Sequence, residues 1–248
     1  MQFNCYRFQP RLVPTVVTLV ALPLLVSFGL WQSNKAHEKQ TLQDTADVRA
    51  SQLPVRITPE QLNPEVLRYR KVVVRGHFDT DYQILLDNRV YNDQAGYHVI
   101  TPFQIENSEL YVLVNRGWVP LGADRTVLPK ISTPDGMLEI SGIATLPPSK
   151  IYELKQPESL TTGWQTVWQN MDFKRYREAV PFQLQTVIIQ MNNDSPSGFV
   201  REWPRPDNRI ETHLGYAFQW FGMAVVLVIF YIVSNIKKIS DTEPEGND

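Results

Sequence analysis

The chain has 248 residues, with 24 Lys and Arg against 26 Asp and Glu and a net charge of −2; lacking a basic surplus to meet a polyanion, it is not expected to bind nucleic acid. Its single cysteine, Cys5, excludes an intrachain disulfide and any metal or redox site built on cysteines. The average composition hides two strongly apolar segments near the ends, and between them, from Gln32 to Thr212, charge is balanced at 20 basic and 22 acidic residues.

Leu12 to Trp31 runs for 20 residues without a charge, enough at ~1.5 Å per residue to cross a hydrocarbon core of ~30 Å. Pro14 and Pro23 fall within it, and prolines are tolerated in membrane helices. A cleaved signal peptide would have a shorter apolar core and end at a small-residue site. This run ends instead in Gly29-Leu30-Trp31-Gln32, which favours a retained anchor. With the first span starting so near the N-terminus, no amphipathic organelle presequence is expected, and a bacterial inner membrane fits.

Residues 33–52 are polar and can carry the first helix outward. Short runs of β-branched and aromatic residues then alternate with turn signals, predicting strands over Lys71–Phe78, Tyr82–Val90, Tyr97–Ile105, Leu110–Val119, Leu138–Thr145 and Phe182–Met191. Asp79-Thr80-Asp81 and Glu106-Asn107-Ser108-Glu109 read as hairpin connections, which favour antiparallel pairing. Asp172 to Ala179 is helical in pattern, opening on an acidic residue and stopping before Pro181. Pro-containing stretches at 128–136, 147–157 and 194–206 read as surface loops.

The second apolar segment, Leu214 to Ile236, is uncharged and stops at Lys237-Lys238. Two spans put both termini on one side of a membrane and the central region on the other. The chain thus divides into a cytoplasmic N-terminus (1–11), a first transmembrane helix (12–31), a periplasmic domain (32–212), a second transmembrane helix (213–236) and a cytoplasmic tail (237–248). The fold class is an α+β membrane protein: two transmembrane helices flank a β-rich, antiparallel domain, a sheet or partly closed barrel with one or two helices packed on it.

No hydrolase elbow, phosphate loop, dinucleotide fingerprint or C-x-x-C pair occurs in the sequence. His37-Glu38 opens like a zinc-protease helix but lacks the second histidine one turn on. No residue set nominates a reaction, so the expectation is a binding or assembly protein and not an enzyme.

Around the start of the second span, His213, Tyr216 or Ala217, and Trp220 recur at helical spacing, with Gln219 beside them. A neutral imidazole flanked by aromatic rings suits a flat metallated macrocycle, with His213 as iron ligand. The alternative is an interfacial aromatic belt with a solvated histidine.

Several segments together resemble the surfeit locus protein 1 family of cytochrome c oxidase assembly factors. They are Leu30-Trp31-Gln32 with Lys35 and Lys39, Leu86-Asp87-Asn88-Arg89, Gly96-Tyr97-His98-Val99-Ile100-Thr101-Pro102-Phe103, Val112 to Pro120 with its Asn115-Arg116-Gly117-Trp118, and His213 to Phe221. Their order, framed by two spans, covers nearly the whole chain. The resemblance implies a large periplasmic domain, a non-catalytic role in maturing a haem-copper oxidase, and haem a delivered to or inserted into subunit I. It implies His213 as a haem ligand, beside which helical spacing and residue type put Tyr216, Gln219 and Trp220 as candidate haem-binding residues. The alternative it leaves open is a scaffold that stabilises subunit I or haem a synthase without binding haem. The family's Asn just before this His is replaced here by Glu211-Thr212.

Within the central motif, Gly117 after Arg116 suggests a β-bulge or close backbone approach, and Trp118 a core position. Arg116 can hold a haem propionate or a partner's carboxylate, or sit in an intradomain ion pair; Arg89 carries the same alternatives. His98 is a second candidate ligand.

Overall fold

The uncharged run beginning at Leu12 opens one 40-residue helix, α1 (Leu12–Ser51), which passes through the polar stretch without a break. A computed structural model describes residues 6–122, 127–148, 164–193, 198–203 and 209–238. Cys5, the tail beyond Lys238 and most of the loops expected at 147–157 and 194–206 lie outside the described residues. The chain divides into two compact units, one of residues 1–43 with 205–248 and the other of residues 44–204.

The first unit pairs α1 with α4 (Ile210–Ser234), the helix made by the second apolar segment. Both are long and apolar enough to cross a membrane. Their large apolar side chains are turned outward: Leu19, Val20, Val226, Phe230 and Val233 are all 60% or more exposed, which the core helix of a soluble protein would not tolerate. Where the helices meet, small residues set the distance, with Ala217 and Ala224 of α4 buried and Gly29 of α1 directly under the Phe221 ring. Gly215 and Gly222 have open space around them and take no part in this approach. At the other end of the pair, β1 (Tyr6–Phe8) and β10 (Ile236–Lys238) form a short antiparallel ladder. There the Asn235 carboxamide accepts from the Arg11 backbone N–H at 2.8 Å, and Thr15 Oγ1 lies 2.9 Å from Tyr231 Oη.

The second unit is built on β2 (Val55–Arg56), α2 (Pro64–Leu67), β3 (Lys71–Phe78), β4 (Ile84–Tyr91), β5 (Gln94–Ile105), β6 (Leu110–Pro120), β7 (Leu138–Thr145), β8 (Val167–Trp168), α3 (Phe173–Ala179) and β9 (Gln183–Met191). The strands run β2-β3-β7-β9-β6-β5-β4-β8, and a further pairing of β3 with β5 closes the middle five into a barrel. β3 and β7 have the bounds their residue pattern predicts, and α3 starts at its expected cap, Asp172 Oδ1 accepting from Arg175 N at 3.0 Å. β4 is shifted toward its C-terminal end relative to the expected Tyr82–Val90, and β5 begins three residues earlier than expected. They are joined by Asn92-Asp93 with φ 47° and 59°, a two-residue turn in the left-handed region that these residue types tolerate.

The sheet is not wholly antiparallel. β6 and β9 pair in parallel, as do the short β2 with β3 and β4 with β8. The chain between β6 and β9 crosses by way of β7 and α3 and returns at the end where β6 began, a geometry no two-residue hairpin can give.

Alternate residues of the barrel strands point inward. Val72, Val74, Phe103, Val112, Val114 and Ile189 are fully buried in this core, and each such side chain contributes roughly 1.5–3 kcal/mol. Leu113 and Ile188, of opposite parity, face outward and are covered by Trp168, Met171 and Tyr176 from the segment leading into α3. Tyr176 donates to the Tyr82 carbonyl at 2.7 Å, and burial pushes its phenol up, so it is neutral at any physiological pH.

Candidate functional site

In the helix pair, His213 sits in the first turn of α4, half-buried, with Nδ1 2.6 Å from Gln32 Oε1 of α1. One amide oxygen accepts the Nδ1 proton, so the ring presents the lone pair of Nε2. Two turns further along α4, the Trp220 ring meets Phe28 of α1 at 4.9 Å between centroids, tilted by 32°. His213, Ala217, Trp220 and Ala224 thus form the face that α4 turns to α1. Tyr216 is 49% exposed and Gln219 is also exposed, both off that face. Of the four residues expected together at the second span, the structure engages two with the partner helix and leaves two outward.

Arg116 belongs to the other unit. It lies on β6 at an irregularity where Val99 pairs with Gly117 but Ile100 pairs with Asn115, so Arg116 is the extra residue of a bulge. Gly117 there has φ 129°, and a Cβ on it would come within 2.7 Å of Phe199 Cβ and the Val200 carbonyl. The bulge and close approach expected from the sequence are both present. Arg116 is 1% exposed; it donates from Nη1 to Thr133 Oγ1 and from Nη2 to the Ser132 carbonyl, both at 2.6 Å. Its guanidinium lies between the rings of Phe78 and Phe199, 4.7 and 4.8 Å from their centroids. Burial, with Arg201 nearby, brings its pKa down to about 10. These neutral acceptors and ring faces make a structural clamp in place of the intradomain ion pair that the motif suggests. Trp118 is buried as expected, and its indole donates to the Arg89 carbonyl at 2.8 Å.

Asn115, next to Arg116 on the strand, faces the opposite way in regular alternation with Leu113, and there it meets residues that stand in separate motifs of the sequence. A second irregularity, between Leu86 and Arg89 on β4, includes Asn88 at φ 58° and redirects Arg89. Arg89, His98 of β5 and Asn115 line one cavity of about 380 Å³ on the outer face of the barrel, with Leu86, Ile100, Met171 and Ile188 as apolar walls. Asn115 Oδ1 accepts the Gly117 N–H at 3.3 Å, and its Nδ2 lies 3.4 Å from His98 Nδ1. The His98 proton is then on Nε2. Desolvation and the charge of Arg89 lower the His98 pKa to about 4, and an edge-on contact with Trp203 at 5.6 Å holds the ring. Arg89 reaches only the Gln169 carbonyl, at 3.4 Å from Nη2, while its buried Nε makes no hydrogen bond. Burial lowers its pKa, and Asp87 opposes that shift. A signal is present in the sequence, since three separate motifs each supply one polar residue of this cavity. Only the pairing of β4, β5 and β6 brings them together.

The SURF1 family model matches residues 19–225, which takes in most of α1, the whole β unit and the first part of α4. A SURF1-like protein of Rickettsia bellii (strain RML369-C) is 26% identical over 222 residues, covering 87% of this chain and 88% of the relative. A SURF1-like protein of Rickettsia felis (strain ATCC VR-1525 / URRWXCal2) is 25% identical over 231 residues, covering 91% and 98%. Surfeit locus protein 1 of Xenopus tropicalis is 24% identical over 239 residues, covering 90% and 76%. A match of this extent, carried from one apolar helix through the barrel into the other, places the chain in the SURF1 family.

Proposed function

We propose that this protein is a non-catalytic assembly factor for a haem-copper cytochrome c oxidase, holding haem a transiently while it is delivered to subunit I. In this reading it resides in a bacterial inner membrane with its β unit periplasmic, and works beside subunit I and haem a synthase. Family membership supports the oxidase-assembly role, since that is the role the resemblance implies. The His213–Gln32 hydrogen bond supports the haem reading. An imidazole whose Nδ1 proton is engaged has its tautomer and ring plane set for ligation through Nε2, the arrangement seen when a metal-binding histidine is oriented by an outer partner. Trp220, packed on Phe28, offers an aromatic surface on the same helical face. The cargo would be held by one protein ligand, which suits a carrier that must let go.

The experiment is the optical spectrum of the detergent-purified full chain after co-expression with the enzymes of haem a synthesis, with His213→Ala as comparison. Haem a bands in the native protein that are lost in the variant support the reading. No bound haem in either protein overturns haem carriage and leaves a scaffold that acts on subunit I or the synthase through protein contacts alone.

A further inference from the structure

The cavity on the outer face of the barrel is chemically one-sided. Among the described residues its lining holds one cationic group, Arg89, with the uncharged polar side chains of His98, Asn115, Thr145, Asn170 and Gln190, and no carboxylate. Arg89 makes no ion pair among the described residues; Asp87, two positions before it, is the charge that steadies it, and Asp87 does not line the cavity. Among the described residues the Nη groups of Arg89 meet one acceptor, the Gln169 carbonyl at 3.4 Å, and so keep hydrogens for a ligand in the cavity. His98 is neutral near pH 7 and carries its proton on Nε2, so it adds a hydrogen-bond donor without a second charge. The other described lining residues are aliphatic or thioether, and the Thr145 hydroxyl is already engaged with the Ile188 carbonyl at 3.0 Å.

We propose that this cavity binds a monocarboxylate bearing a short apolar stem. One guanidinium matches one negative charge, and a planar carboxylate can take the paired Nη hydrogens of an arginine side by side, which a single-point anion cannot. A phosphate dianion would bring a second charge that no cation among the described lining residues meets. An alcohol would leave the guanidinium uncompensated. The stem would lie against Leu86, Ile100, Met171 and Ile188. β-Bulges are found next to binding sites because they re-aim side chains, and the irregularity between Leu86 and Arg89 on β4 brings Arg89 to the cavity that His98 and Asn115 line. This inference is independent of haem carriage, because the cavity lies wholly within the β unit and is probed with haem-free protein.

The test is saturation-transfer NMR of butanoate with the full chain in detergent, using butan-1-ol and inorganic phosphate as competitors. Saturable butanoate binding that neither competitor displaces is expected. Arg89→Gln should weaken it roughly ten- to a hundredfold, the loss of one charge-assisted hydrogen-bonded pair. Gln190→Glu keeps the side-chain volume but adds a negative charge to the wall, and should weaken butanoate comparably; it carries the test should Arg89→Gln not fold. Arg75→Gln removes a surface arginine whose partner is Glu106 at 3.4 Å and should leave binding unchanged. Absence of saturable binding to the native chain, undiminished binding in both cavity variants, or displacement by phosphate would each overturn the proposal.

Discussion

His213 Nδ1 and Gln32 Oε1, 181 residues apart in sequence, stand 2.6 Å apart across the two long helices. The bond gives the imidazole one tautomer and a fixed ring plane, and it ties the end of the first apolar run to the beginning of the second. Gln32→Leu keeps the side chain's bulk and removes the acceptor. It should leave the helices paired but weaken haem a retention roughly 10- to 100-fold, as loss of an outer partner of a metal-binding histidine does. Haem occupancy after size-exclusion chromatography reads this directly. Occupancy equal to native would show that Gln32 does not orient the ligand.

Gly29 lies where a Cβ would come within 2.7 Å of Phe221 Cε1. Gly29→Val should force the helices apart and lower the thermal stability of the detergent-solubilised protein by about 1–3 kcal/mol, the usual cost of overpacking. Gly222→Ala, at a position with open space around it, should change nothing. Equal effects of the two substitutions would mean that the close approach at Gly29 does not contribute.

Arg116 is clamped by two short hydrogen bonds and two phenyl rings. Arg116→Met should therefore destabilise the β unit by roughly 2–4 kcal/mol, from the orphaned acceptors and lost packing. Haem a bound per folded molecule should not change. Thermal unfolding followed by circular dichroism, alongside the optical spectrum, separates the two. A stable variant that loses haem would restore Arg116 as a propionate-binding residue.

His98 gives the β unit a pH dependence. Its pKa is about 4 when folded against an ordinary value of 6.5, so the unfolded chain takes up this proton first. The stability contributed by the neutral ring is complete above about pH 6.5 and is lost progressively down to about pH 4. The loss is at most about 3 kcal/mol, less to the extent that water reaches the ring. Melting temperatures measured across this range should fall more steeply for the native chain than for His98→Gln. Parallel curves would show that His98 is not held neutral.

The elements are legible in the sequence because each obeys a local rule. Lys71–Phe78 and Leu138–Thr145 are short runs rich in β-branched residues set between turn signals, so the limits of β3 and β7 follow from residue pattern. Asp172 announces α3, since a short carboxylate can satisfy the free N–H groups of a first turn. Uncharged runs long enough to cross a hydrocarbon core announce α1 and α4. Even the bulge at Gly117 is readable, because glycine interrupts a strand for few other reasons.

Contacts between distant residues are decided only by the tertiary structure. Closure of the barrel through β3 and β5, and the parallel pairing of β6 with β9, depend on which end of the sheet the chain returns to; strand patterns do not encode this. The fate of each polar residue depends on the same choice. Arg116 and Asn115 are adjacent on β6 and so point to opposite faces; the segments that cover those faces decide that one is a closed clamp and the other an open cavity. At the second span, helical spacing alone groups Tyr216 with His213 and Trp220, whereas the position of α1 selects Ala217 instead and leaves Tyr216 exposed. Periodicity defines the faces of an element; which face is used depends on the neighbour that covers it.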